Sequence, residues 1–97
     1  MIRFLYKREF LKRFDRCEEP EQKLVIAADE QIRLFCAKKT APYGLRIKKL
    51  FEKGGEKTFE ARVSDKMRLL FVVSEGLVAF AFLGNHEQVR RYIKSFK

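Results

Sequence analysis

Along the chain, the spacing of apolar residues changes from a helical period to a period of two. Ile2–Tyr6 reads as a short strand, and Glu9–Cys17 then places Phe10, Leu11, Phe14 and Cys17 on one side of a helix. Glu18-Glu19-Pro20 breaks that helix and starts another. Proline suits a first helical turn, and carboxylates there complement the helix dipole. The second helix, about Pro20–Lys38, stacks Leu24, Ala28, Ile32 and Phe35 on a buried stripe, so the two helices form an αα-hairpin. Thr40–Gly44 reads as a loop, while Leu45, Ile47, Leu50 and Phe51 in the stretch Leu45–Lys53 fit neither period.

Beyond the Gly54-Gly55 turn, alternation takes over. Thr58–Ser64 puts Phe59, Ala61 and Val63 on one face and Thr58, Glu60, Arg62 and Ser64 on the other. Ser64-Asp65-Lys66 turns the chain into Met67–Ser74, and Glu75-Gly76 turns it into Leu77–Leu83. These last two strands are nearly all apolar, as central strands covered on both faces should be. Asn85 then caps a final helix with Gln88 completing a capping box, and Val89, Ile93 and Phe96 form its inner stripe. The order β-α-α-β-β-β-α predicts one α+β domain over residues 1–97, an antiparallel meander packed on an N-terminal helical hairpin.

Charge narrows the partners. The chain has 97 residues and a formal net charge of +9. Residues 1–16 hold six basic and two acidic side chains, residues 17–37 two basic and five acidic, and the remainder fourteen basic and six acidic. Cations concentrated at the N-terminal edge and in the C-terminal half point to a polyanion, with an acidic protein the next candidate. Charge interrupts every long apolar stretch, so no membrane span is predicted, and Met1–Lys7 lacks the apolar core of a signal peptide; a cytoplasmic protein is expected. Cys17 and Cys36 have no CxxC spacing and His86 is the only histidine, so reduced, packed thiols are expected and no metal site or cofactor.

Two segments carry a family resemblance: Phe59–Phe71, an arginine-bearing strand, a polar turn and a second arginine opening the next strand; and Phe80–Val89, which holds Gly84-Asn85-His86. Together with the helical hairpin and meander, they make the whole chain resemble the RelE/ParE superfamily of toxins, and the Gly-x-His segment is similar to that of the YafQ-like nuclease branch. The resemblance implies the toxin of a type II toxin–antitoxin system, held in an oligomer by a small acidic antitoxin. RelE-like members are endoribonucleases, mRNA interferases that cut messenger RNA on the ribosome. ParE-like members share the fold, poison DNA gyrase and are not nucleases. Fold alone does not choose between them.

RNA cleavage by the 2′-hydroxyl needs a base, cations at the phosphate, an acid for the leaving oxygen and a hold on the flanking base; it needs no metal. Arg62 and Arg68 flank one turn and suit a phosphate clamp, although two exposed arginines beside Asp65 also fit a simple ion pair. His86 begins the last helix, beside its partial positive charge and next to Glu87. An imidazole there suits proton transfer as base or acid, and the resemblance gives it the catalytic place of the nuclease branch. Glu60 shares a face with Arg62 and fits a base, a residue orienting a guanidinium, or an ordinary strand salt bridge. Tyr92 stands at the interval where some RelE-like toxins stack a tyrosine on a nucleotide base, and equally near the helix's apolar stripe. Lys53, Lys57, Arg90, Arg91 and Lys94 read as a skirt following RNA backbone. One departure stands out: where RelE carries lysines on the first meander strand, this chain has Thr58 and Glu60.

Overall fold

Strand alternation and helix periodicity together sort the chain into a sheet with helices on both faces. The computed structural model describes residues 2–38 and 46–95. Its elements are β1 (Arg3–Tyr6), α1 (Arg8–Asp15), α2 (Glu19–Lys38), β2 (Lys48–Lys53), β3 (Glu56–Arg62), β4 (Arg68–Ser74), β5 (Leu77–Gly84) and α3 (His86–Lys94). The five strands run in the order β1-β5-β4-β3-β2, with β1 parallel to β5 and the rest antiparallel. The α+β architecture matches expectation with one correction: the meander has four strands, not three, because Lys48–Lys53 pairs with β3. No described helix is long and apolar enough to cross a membrane. The loop expected at Thr40–Gly44 and the stripe residue Phe96 lie outside the described residues.

The main core lies between the sheet and the helical hairpin, where Phe10, Val25, Ala28 and Ile32 meet Ala61, Leu69, Phe71, Val78 and Phe80. Two expected stripe residues turn outward. Leu24 is 47% exposed and Leu11 46% exposed, and Val25 takes the inward place expected of Leu24. Residues 24–28 are all apolar, so periodicity cannot fix which of them faces the sheet; packing does. On the opposite face, Val89 of α3 packs against Leu70, Ala81 and Phe82, with Leu50, Val72, Tyr92 and Ile93 around them.

Two bulges decide which residues share a face. In β5 the register steps from Leu70↔Phe82 to Phe71↔Phe80, so Ala81 has no partner of its own and joins Phe82 on the α3 face. Leu83 is thereby returned to the hairpin face, and Gly84 falls opposite Arg68. A second bulge between Lys49 and Phe51 lets Leu50 pack on the α3 face while Phe51 pairs with Thr58. The β2–β3 hairpin closes through Gly54 and Gly55, both at positive φ (57° and 81°), the backbone that a tight two-residue turn demands and glycine adopts at no steric cost.

Candidate functional site

Register brings the two arginines together. Because Ala61 and Leu69 point into the hairpin core, Arg62 and Arg68 project from the α3 face, and they are direct cross-strand partners. Arg68 is in turn opposite Gly84, so Arg62, Arg68 and Gly84 form one row across three strands. His86 follows two residues after Gly84 as the exposed first residue of α3. The chain turns sharply there because Asn85 caps the helix: its side chain accepts from the Gln88 backbone N–H at 2.8 Å, and the Gln88 side chain accepts from the Asn85 N–H at 2.8 Å. Gly84 leaves room for this box, since a Cβ there would stand 2.8 Å from Gln88 Oε1.

Both guanidiniums are braced on the β3–β4 turn. Arg62 Nη2 pairs with the Asp65 carboxylate, which is 89% exposed, so the bridge adds little stability and exchanges readily for another anion. Arg68 donates through Nη1 alone, to the Ser64 carbonyl at 2.9 Å and to those of Asp65 and Met67 at 3.4 Å. Its remaining N–H groups have no protein partner among the described residues. The result is an oriented fork with an edge able to take a phosphate oxygen.

The next row in from the arginines holds Lys48, Glu60, Leu70 and Phe82. Glu60 is half-buried and forms no ion pair among the described residues, so the strand salt bridge considered for it is not made. A cleft of about 540 Å³ continues along the same face, floored by Thr58, Val72 and Ala81 and edged by Lys7, Lys53 and Tyr92. The Tyr92 ring stacks on Phe82 at 4.3 Å with 16° between planes, and burial pushes its phenol up from the usual range. Tyr92 is thus both packed and cleft-lining. Arg90, Arg91 and Lys94 are exposed on α3. Lys57 is a correction: it alternates with Thr58 onto the hairpin face, lining a different cleft beside Phe35, Phe59 and Val73.

No family model matches the sequence, and no curated protein matches it either. Solved structures do match. RelE in an archaeal RelE–RelB complex from Pyrococcus horikoshii OT3 superimposes with TM-score 0.68 at 14% identity, covering 87% of this chain and 93% of that one. The E. coli DinJ–YafQ complex gives 0.63 at 16%, covering 92% and 98%, and the YoeB dimer from Staphylococcus aureus gives 0.65 at 14%, covering 88% and 97%. The fold is that of the RelE-like toxins.

On this RelE-like fold, two residues that sequence reasoning passed over stand beside the candidate site. Lys48, on the strand that had no readable period, is the cross-strand partner of Glu60. Arg13 of α1 reaches around β5: its Nε donates to the Leu83 carbonyl and its guanidinium lies 4.5 Å over the Phe82 ring. Phe82 therefore touches both Arg13 and Tyr92, joining α1 to α3 through one aromatic ring. No local signal marked Arg13, which is one of several cations on an amphipathic helix.

Proposed function

We propose that this chain is the toxin of a type II toxin–antitoxin pair and an endoribonuclease that cuts messenger RNA on the ribosome. The observation that carries the proposal is the row Arg62–Arg68–Gly84, with the exposed imidazole of His86 two residues past its end. The 2′-oxygen attacks the neighbouring phosphorus and the P–O5′ bond breaks, leaving a 2′,3′-cyclic phosphate and a 5′-hydroxyl. Arg62 and Arg68 hold the phosphate oxygens as charge gathers on them. His86 and Glu60 share the proton work, one removing the 2′-hydroxyl proton and the other protonating the departing 5′-oxygen. The reaction class needs no metal. Lys53, Tyr92, Arg90 and Arg91 serve binding: the cations follow backbone, and Tyr92 offers a ring at the cleft edge. An acidic antitoxin in a cytoplasmic complex is the partner in this reading, supported by the RelE–RelB and DinJ–YafQ pairs that share the fold.

Purified protein in a translating extract is expected to cut messenger RNA at defined positions, and His86→Ala to slow cutting by about 10²–10⁴-fold. Unchanged cutting by that variant removes His86 from the mechanism. Intact RNA together with blocked supercoiling by purified gyrase transfers the chain to the ParE-like alternative.

A further inference from the structure

Around the strand ends, sharing Gly84 with the arginine row, lies another cleft, of about 480 Å³, whose cations the proposed chemistry does not use. Its walls come from the end of α1, the β3–β4 turn and the start of α3, and include Arg13, Arg16, Lys66, Met67 and Asn85. The cations differ in what already holds them. Arg13 is committed to Glu9, the Leu83 carbonyl and the Phe82 ring. Arg16 and Lys66 are exposed, and their side chains form no ion pair or hydrogen bond among the described residues. Among the described residues, the one carboxylate in the wall is Glu21, which accepts from the Glu18 backbone N–H at the start of α2 and makes no ion pair with either.

Position matters as much as charge. Lys66 belongs to the turn whose Ser64 and Asp65 carbonyls hold Arg68 and whose Asp65 side chain holds Arg62. One turn thus presents guanidiniums on the α3 side and an ammonium on the cleft side. The same cleft is partly apolar, with the half-buried Met67 and Cys17 in its lining. Burial and the Glu21 charge push the Cys17 thiol up from its ordinary value, so that side chain serves as an apolar surface, not a nucleophile. Cations and an apolar patch in one cleft match the two halves of a nucleotide, its phosphate and the face of its base.

We infer that this cleft is a second subsite for single-stranded RNA, in which Arg16 and Lys66 take backbone phosphate next to the nucleotides held at Arg62 and Arg68. The inference rests on reading those two arginines as phosphate-holding, and it adds a path by which the strand bends around the end of the sheet. An acidic peptide is the competing occupant, but it would use the cations and leave the apolar patch uncovered.

Fluorescence anisotropy with two uncuttable probes, a 2′-O-methyl RNA trimer and a 2′-O-methyl octamer, tests it. For the native sequence the octamer should bind at least tenfold more tightly than the trimer. Arg16→Gln with Lys66→Gln should abolish that gain. The double change should also lower the slope of log affinity against log salt for the octamer by about 1.4, at about 0.7 for each single-strand phosphate that is no longer neutralised. Circular dichroism of the double variant should match that of the native chain. An octamer bound as tightly by the variant, or equal weakening of trimer and octamer, overturns the subsite. So does a polyglutamate peptide that binds more tightly than the octamer and loses its affinity in the variant. Arg62→Ala separates the two readings: if trimer affinity ignores it while the octamer gain still needs Arg16 and Lys66, the cleft stands and the arginine row falls.

Discussion

The two faces of this sheet are built for different ends. Against the hairpin, rings meet one another in a chain from Phe35 through Phe59, Phe71 and Phe80 to Tyr6 and Phe10, with centroids 4.9–6.4 Å apart. Against α3 the Phe82 ring stacks on Tyr92, beside a small cluster around Leu70 and Val89. Beyond that cluster the same face carries Glu60 and places two arginines directly opposite each other. Like charges opposed across strands destabilise a sheet by about 0.2–1 kcal/mol. An exposed carboxylate and turn carbonyls relieve the pair, and the proposed phosphate-holding role would require keeping it.

The contrast predicts where substitutions will hurt. Phe80 is fully buried and touches Phe4, Tyr6, Phe10 and Phe71. Phe80→Ala should cost about 3–5 kcal/mol, read as a fall in the urea midpoint. A loss below about 1 kcal/mol would show that the ring chain does not carry the fold, and the division of labour between faces would go with it.

A smaller effect separates the faces by pH. Each carries a tyrosine whose phenol is harder to ionise than usual. On the hairpin face, burial and the bond to Asp29 raise Tyr6: its hydroxyl donates to Asp29 Oδ2 at 2.5 Å and accepts from Arg33 Nη2 at 2.6 Å. On the other face, burial and nearby Glu9 raise Tyr92. A folded-state value above the unfolded one near 10 means that the folded chain holds its proton longer. Stability is then complete below about pH 10 and falls as pH climbs through the folded-state value. Tyr6→Phe should cost about 0.5–1.5 kcal/mol at neutral pH and flatten part of the alkaline decline, leaving the part due to Tyr92. An alkaline limb of unchanged steepness, measured by thermal melts at stepped pH, would detach the clasp between β1 and α2 from the aromatic face.

How much of this was legible in the sequence follows the same division. The hairpin, the alternation of β3, the apolar central strands and the Asn85–Gln88 capping box are local patterns, and each was readable because one residue's neighbours determine it. Bulges are not local. Leu50 and Phe51 show no period because the extra residue puts neighbours on one face, which hid β2 and with it Lys48. Alternation carried straight through β5 would set Phe80, Phe82 and Gly84 together, whereas the bulge divides Phe80 from Phe82 and keeps Gly84 in the arginine row. Arg62 opposite Arg68 follows from a short turn and was readable. Lys57 was misplaced because charge alone was followed there, although alternation already assigned it to the other face.

The finest effect bears on the arginine pair itself. Arg62→Thr removes the like-charge opposition and puts a residue at home in strands beside Arg68, at the loss of an exposed bridge to Asp65 that contributes about 0–1 kcal/mol. The two changes nearly cancel, so urea unfolding should shift by no more than about 0.5 kcal/mol in either direction. RNA cutting should nonetheless fall by about 10²–10³-fold, the usual consequence of deleting one oriented donor to a charged transition state. The two measurements together are stricter than either alone. Cutting abolished along with several kcal/mol of stability would make Arg62 a structural residue whose removal disturbs the turn. Cutting retained at full stability would leave the pair as a surface ion cluster, and the α3 face would then owe its opposed charges to some other anion.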